Sequence, residues 1–457
     1  MKKLIDYTLV ISEHATMNER RAASFLQQQL CLICGRKLPM VSDSLPPSEN
    51  ELVVGKTNRE SADALQVRRS PDRLWEYEIR TVGSRTYLLG LGEAESAESA
   101  YRSAYRRIND GAYGTVFAAY HFVEEILQYP FVFSTYEEFP QNPDVRIPDG
   151  YSFAYTKEAL RAQLPKRLAG AAFYSVPSSE VLDWNMGCSI LKTESGKLVV
   201  IDGGHEADAE HIVSVLETIA SPQKPVVAAW MLTHLHEDHY GVYKRLCEDV
   251  SLASRVQVEH FYCHLLPREF YTVLSKEANP ANGQVLDVLL GSYTSVGAEL
   301  HTVQTGNIIR VDEMEFQVLH TPDMKDAADM NMNDSSVIFR LNYRNLQSIL
   351  FLADAEWICS NALTDLPASQ LASDAVVVGH HGCGNVSLEC YRRIGADIYL
   401  WQTGNRFWYG DNGEGLNTHN TGVIRTRSYI KELGARQENI YRDANEILSL
   451  PLPIPRR

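Results

Sequence analysis

Thr233-His234-Leu235-His236-Glu237-Asp238-His239-Tyr240-Gly241 follows directly on the apolar run Val226-Val227-Ala228-Ala229-Trp230-Met231-Leu232. A buried strand is expected to end there and to deliver three imidazoles and a carboxylate at its tip. Side chains alternate along an extended segment, so His234 and His236 point to one side and both rings can reach one ion. Asp238 and His239 then come from the turn into the next helix and can reach a second ion. Two ions about 3.5–4 Å apart make a bridged hydrolytic centre. Histidine nitrogen with carboxylate oxygen suits a borderline divalent ion, zinc first, with manganese and iron as alternatives.

Upstream, Cys188 to Gly204 reads as a strand, a turn at Gly196, a second strand and then Asp202-Gly203-Gly204. Downstream, Ser348 to Glu356 is an apolar strand ending in Asp354, and Ala375-Val376-Val377-Val378 is a buried-looking parallel strand with Gly379-His380-His381-Gly382 at its tip.

His-x-His-x-Asp-His followed by these pieces in this order resembles the metallo-β-lactamase superfamily. The resemblance implies an α/β fold class, with an αββα sandwich over residues 171–457. It implies His234, His236, Asp238, His239, Asp354 and His380 as metal ligands, with Asp354 bridging the two ions and His380 serving the second. His381 stands close enough to replace His380. Asp202 becomes an acid behind the ligands that holds their loop in register.

One piece departs from the common pattern. Many members draw a third histidine from a segment reading roughly His-Thr-Pro-Gly-His, whereas this chain has His320-Thr321-Pro322-Asp323 and no histidine at the fifth place. Its later run Asn331-Met332-Asn333-Asp334-Ser335-Ser336 resembles the branch typified by the metallo-β-lactamase-like domain of DNA-uptake competence proteins, where an asparagine-containing segment replaces that histidine. Asn333 and Ser336 are therefore expected beside the ligands or the substrate, and His320 in a loop-shaping role. The second ion's ligands look more complete than the first's.

In the same branch a histidine lies near the metals after the last strands, here His419 in Asn417-Thr418-His419-Asn420. The implied mechanism uses a metal-bound hydroxide on a phosphoester, ester or lactone, a substrate that could be carbohydrate-linked. Asp238 would orient the water, and His419 or His381 would serve the leaving group. Cys383 is near enough in sequence to tune an ion, and Arg406-Phe407-Trp408-Tyr409-Gly410 suits an aromatic lip.

Residues 1–150 read as a separate small α/β domain, with 151–170 as a linker. A strand at Tyr7–Ile11 is followed by a helix starting near Thr16 or Asn18, with Ala22, Phe25, Leu26 and Leu30 on one face. Strands are expected at Leu52–Gly55, around Tyr77–Ile79 and at Tyr87–Leu91, and a closing helix from about Thr115 to Leu127. This order resembles the accessory α/β domain of α-glucuronidases and β-hexosaminidases, which implies a carbohydrate-related setting and carries no catalytic residue over.

The chain has 457 residues and a formal charge of −15 from 43 Lys and Arg against 58 Asp and Glu. Nucleic-acid binders present a basic face, so this excess argues against a nucleic-acid partner. The cluster Arg102, Arg106, Arg107 is too small to reverse it and reads as a solvated face. No apolar run is long enough to span a membrane, and Asp6 interrupts the start of any signal-peptide core, so a cytoplasmic location is expected. Only Cys31 and Cys34 among the eight cysteines form a Cys-x-x-Cys, and they read as buried thiols. The expected partner is a small-molecule substrate, with homo-oligomerisation left open. The competing reading is a non-catalytic binding or regulatory protein that keeps metal for stability and uses the N-terminal domain for recognition.

Overall fold

The computed structural model describes residues 2–93, 113–133, 141–182, 184–412 and 415–457. Arg102, Arg106 and Arg107 lie outside them. The chain divides into two compact units, Met1–Leu160 with Asp411–Leu416, and Arg161–Gly410 with Asn417–Arg457.

The first unit holds a six-stranded sheet in the order Met40–Ser42, Thr8–Ile11, Glu51–Val54, Arg85–Gly90, Tyr77–Val82 and Ser152–Tyr155. The first four strands pair in parallel and the last two join antiparallel. Ser152–Tyr155 thus completes this sheet, although it falls in the stretch read as a linker. Helix Met17–Cys34 starts at Thr16, whose hydroxyl accepts from Glu19 N at 3.2 Å while Glu19 returns to Thr16 N at 2.8 Å. This reciprocal cap fixes the start that the sequence placed near Thr16 or Asn18. Gly35, at φ 72°, ends the helix in the left-handed conformation. Ala22, Leu26 and Leu30 are fully buried, and Phe25 meets Tyr120 edge-on at 4.7 Å. The closing helix runs Tyr113–His121 and widens to a π-turn over Phe122–Ile126. Cys34 is buried, its thiol pushed up to about 11 by burial, but Cys31 is only half-buried.

The second unit is built on two sheets. One runs Glu299–Thr302, His260–Cys263, Val226–Met231, Leu198–Asp202, Cys188–Lys192, Ala172–Ser175 and Leu448–Pro451, with Gln257–Val258 paired beside Val226. The other runs Ile308–Val311, Met314–His320, Ile338–Tyr343, Gln347–Phe351, Ala375–Val377, Ile398–Trp401 and Ile440–Arg442. Period-two alternation explains how the first sheet is buried on both faces. Leu191, Val199, Ile201 and Met231 pack into one core with Phe316, Phe339, Leu341 and Phe351 of the other sheet. Their neighbours Ile190, Val200 and Trp230 face helix residues Ile212, Leu216, Val242 and Tyr243. Each of these large side chains removes enough apolar surface to contribute roughly 1.5–3 kcal/mol.

The expected hairpin is present, with Cys188 opposite Asp202 and Lys192 opposite Leu198. Ala375–Val377 is parallel to both neighbours. Strands Leu198–Asp202, Val226–Met231, Gln347–Phe351 and Ala375–Val377 all release their chemistry-bearing residues at their carboxyl ends, where α/β sheets present ligands. No helix among the described residues is long and apolar enough to cross a membrane.

Candidate metal centre

Helix Glu237–Glu248 begins immediately after His236, so Asp238 and His239 occupy its first turn while His234 and His236 remain on the extended segment before it. Asp202, held at φ 65°, turns its carboxylate back onto this segment. One oxygen accepts from Thr233 N and from Thr233 Oγ1, both at 2.9 Å, and the other from His239 Nδ1 at 2.9 Å. With Nδ1 committed as donor, His239 presents Nε2 inward, 3.2 Å from Asp354 Oδ1.

Two groups of donors result, each with its atoms within 4.8 Å of one another. One comprises His234, His236 and Asp354, and the other Asp238, His239 and His381. Asp354 divides its carboxylate between them: Oδ1 lies 3.2 Å from His239 and 3.5 Å from His381, while Oδ2 lies 3.9 Å from His234 and 3.6 Å from His380. His381 Nδ1 donates to Gln402 O at 2.8 Å, so Nε2 faces Asp238 Oδ2 at 3.5 Å. With Nδ1 held by Gln402, Nε2 is the nitrogen this ring turns toward the carboxylates.

Of the two adjacent histidines, it is His381, the expected replacement, that stands where His380 was expected. His381 joins Asp238 and His239, whereas His380 turns to the other oxygen of Asp354. Both residues are left-handed, at φ 46° and 54°, which breaks the alternation of a strand. Glu356 Oε1 fixes His380 by accepting from Nδ1 at 2.6 Å, leaving Nε2 3.3 Å from Asn333 Nδ2.

The sequence reading missed two carboxylates behind histidines. Glu356 is one. The other is Glu277, whose Oε2 lies 3.4 Å from His236 Nε2 and accepts from Met332 N at 2.8 Å. His236 is thereby turned so that Nδ1 meets His234 Nε2 at 3.1 Å. Carboxylates placed behind ligand imidazoles set the tautomer and aim the opposite nitrogen. The signal for Glu356 was its place two residues after Asp354, but Glu277 lies in a loop with no motif around it.

The donors fit divalent ions. His239 Nε2, His381 Nε2, Asn333 Oδ1 and Ser336 Oγ are buried with no hydrogen-bond partner, and buried polar atoms without partners are rare unless something binds there. Burial pushes the Asp354 carboxyl up, but His239, His381 and His380 outweigh it and hold it well below the usual range. Burial likewise disfavours charge on His239, yet Asp354, Asp202 and Asp238 raise it well above an ordinary imidazole. Burial also keeps His234 neutral. The cluster thus draws positive charge to its centre with lone pairs ready beside it.

Asn333 and Ser336 are buried on the segment that Val337 N ties to Thr233 O at 3.0 Å. Cys383 Sγ accepts from Asn420 Nδ2 at 2.9 Å, and burial raises its thiol, so it is no ready thiolate ligand. His419 lies over Phe407 with ring centres 6.5 Å apart and belongs to neither donor group. In the aromatic stretch, Phe407 meets Trp184 edge-on at 5.4 Å.

His320 also stands outside the donor groups. Burial, with His264 and Lys325 nearby, pushes it down to about 4. Between pH 6.5 and 4 the unfolded chain takes up a proton that the folded chain refuses, so stability falls as the pH drops through that window. The full loss is about 3 kcal/mol. His320→Gln should flatten this acid limb in denaturant titrations.

A Cβ on Gly187 would lie 2.6 Å from the His239 ring. Gly187→Ala is therefore expected to displace His239 and weaken metal binding roughly 10–100-fold, as disturbed ligand support does. Metal competition against a chromophoric chelator measures it.

The geometry defines a two-pocket centre of histidines and carboxylates. Residues 186–324 match the family model of the metallo-beta-lactamase superfamily, which supports that superfamily for this part of the chain. The match includes Asp202 and the segment His234 to His239, and it ends before Asn333, Asp354, His380 and His381. No curated protein matches the chain. Among solved structures, the metallo-beta-lactamase fold protein YhfI from Bacillus subtilis is 10% identical with a TM-score of 0.36, over 61% of this chain and 99% of that one. CmlA, a diiron beta-hydroxylase from Streptomyces venezuelae, is 11% identical with a TM-score of 0.37, over 62% of this chain and 55% of that one. A Cronobacter sakazakii metallo-beta-lactamase with a HARLDQ motif is 13% identical with a TM-score of 0.30, over 61% and 97%. Likenesses this distant carry no argument about the reaction.

Proposed function

We propose that this protein is a metal-dependent hydrolase of the metallo-β-lactamase superfamily, acting on a phosphoester, ester or lactone of a small molecule. The observation that carries the reading is the division of Asp354 between two sets of imidazoles, Oδ1 toward His239 and His381 and Oδ2 toward His234 and His380. In this reading His234, His236 and His380 hold one ion, and Asp238, His239 and His381 hold the other. His380 then stands in for the third histidine that the His320 segment fails to supply. The core shared by the two sheets and the helix residues behind the first support the αββα arrangement.

Divalent ions bound there supply Lewis acidity and an activated water. The protein's own residues do the positioning. Asp202 keeps His239 Nδ1 protonated, Gln402 O does the same for His381, and Glu356 and Glu277 orient His380 and His236. Asp238 remains the candidate to orient the attacking water. With His381 turned to the metals, His419 is left as the candidate for the leaving group. Nitrogen and oxygen donors without sulfur suit zinc, with manganese and iron as alternatives. Asn333 beside His380 supports the competence-protein branch, while the charge of −15 favours a small substrate over nucleic acid. A carbohydrate-linked substrate rests on the N-terminal resemblance alone.

The test is metal analysis of the purified protein followed by turnover of phosphodiester, phosphomonoester, ester and lactone probes, with and without chelator. Hydrolysis that chelator abolishes and zinc or manganese restores is the expected result. A fully metallated protein inert across the panel overturns it.

A further inference from the structure

A third cluster of potential ligands lies on the edge of the first sheet of the second unit. Glu299–Thr302 is its edge strand and pairs in parallel with His260–Cys263, with His260 opposite Glu299 and Tyr262 opposite His301. Alternation sends Phe261 and Cys263 into the core beneath the helices, with Leu300 packed against it. His260, Tyr262, Glu299 and His301 therefore share the opposite face. This rung geometry brings His260 Nδ1 to 3.0 Å from His301 Nε2, Glu299 Oε2 to 3.5 Å from His260 Nδ1, and Glu299 Oε1 to 3.8 Å from His301 Nε2.

We propose that His260, Glu299 and His301 form an additional metal site, taking one borderline divalent ion such as Zn2+ and fastening the edge strand to its neighbour. Tetrahedral zinc with bonds of about 2.0–2.2 Å sets neighbouring donors roughly 3.3 Å apart, near the separations of His260 Nδ1 from His301 Nε2 and from Glu299 Oε2. Two imidazoles and one carboxylate also match the ligand chemistry of open, three-residue zinc sites. The Tyr262 ring stacks on His301 at 4.7 Å and 17°, which fixes the imidazole plane before any ion arrives. His260 and His301 are about two-thirds buried at the side chain, 38% and 32% exposed, while Glu299 is 65% exposed. The cluster thus leaves a solvent-facing position for water as a fourth ligand. None of its residues belongs to the two donor groups around Asp354.

Zinc binding to the full-length protein, stripped with chelator and titrated at pH 7.5 against a chromophoric competitor, tests the site. The wild type should bind one equivalent more than His301→Asn, and Glu299→Gln should weaken that equivalent roughly 10–100-fold. Cobalt substitution should show its visible absorption reduced by one site in His301→Asn. To keep this separate from the hydrolase reading, the same comparison is made in an Asp354→Ala background. There one zinc equivalent should persist and should vanish when His301→Asn is added. Folding of each variant is checked by circular dichroism, and His260→Gln replaces any that fails. Equal stoichiometry in folded wild type and His301→Asn, in either background, overturns the proposal.

Discussion

Asp354→Ala should strip metal from both pockets at once and lower turnover by at least roughly 10²-fold, the upper end of what losing mere support for a ligand costs. The expectation follows from the carboxylate's geometry. Oδ1 faces His239 and His381 while Oδ2 faces His234 and His380, so one truncation removes a donor from each side. It also leaves four imidazoles without the anion that balances them. With only 2% of Asp354 exposed, water has no easy way to replace it. His236→Ala serves as the control, because it removes a donor from one side only. Elemental analysis after desalting reads the result directly. Full metal retention at both pockets in folded Asp354→Ala would remove the basis for the bridging role.

Asp202→Ala is expected to be the costliest change behind the ligands. It deletes the acceptor for Thr233 N, Thr233 Oγ1 and His239 Nδ1, at a buried site where stripping an ionised partner costs about 3–5 kcal/mol. The loss should appear as a lower unfolding midpoint in denaturant. Asp202→Asn separates architecture from tautomer. An amide can still accept from Thr233 through its oxygen, but its NH2 then meets His239 Nδ1–H, donor against donor. His239 must shift its proton to Nε2, the nitrogen that faces Asp354. Asp202→Asn should therefore keep most of the stability and lose metal affinity at the His239 pocket by roughly 10–100-fold. A variant that is stable and binds metal normally would show that Asp202 is an ordinary turn residue.

The pieces legible in the sequence were those whose chemistry and secondary structure coincide. His234 to His239 sits where an apolar run stops, and Asp202 closes a hairpin with a glycine turn. In each case a strand pattern forces the polar residue to the strand's end. That His381 rather than His380 joins Asp238 and His239 was legible only as the alternative, because two consecutive left-handed residues reverse the facing that alternation implies. Glu277 was hidden for a different reason: its partner His236 lies far away in sequence, and only the packing of the loop before Met332 joins them. Strand Ser152–Tyr155 carries little strand signal because it is short and only its last residue is buried. Strand Leu448–Pro451 carries two prolines' worth of punctuation around it, in Pro451 and Pro453, and gave no strand signal at all.

That last strand has a consequence for the timing of assembly. It pairs antiparallel with Ala172–Ser175, with Leu448 opposite Ser175 and Leu450 opposite Phe173. A growing polypeptide thus synthesises the metal-binding segments while the edge of Ala172–Ser175 stays uncovered, and an open edge is a template for pairing with other chains. Closing so large a loop costs entropy, and this sheet stays incomplete until Leu448–Pro451 has been synthesised. Shortened transcripts or C-terminal trimming ahead of Leu448 would leave every ligand in place and still yield a chain prone to aggregate.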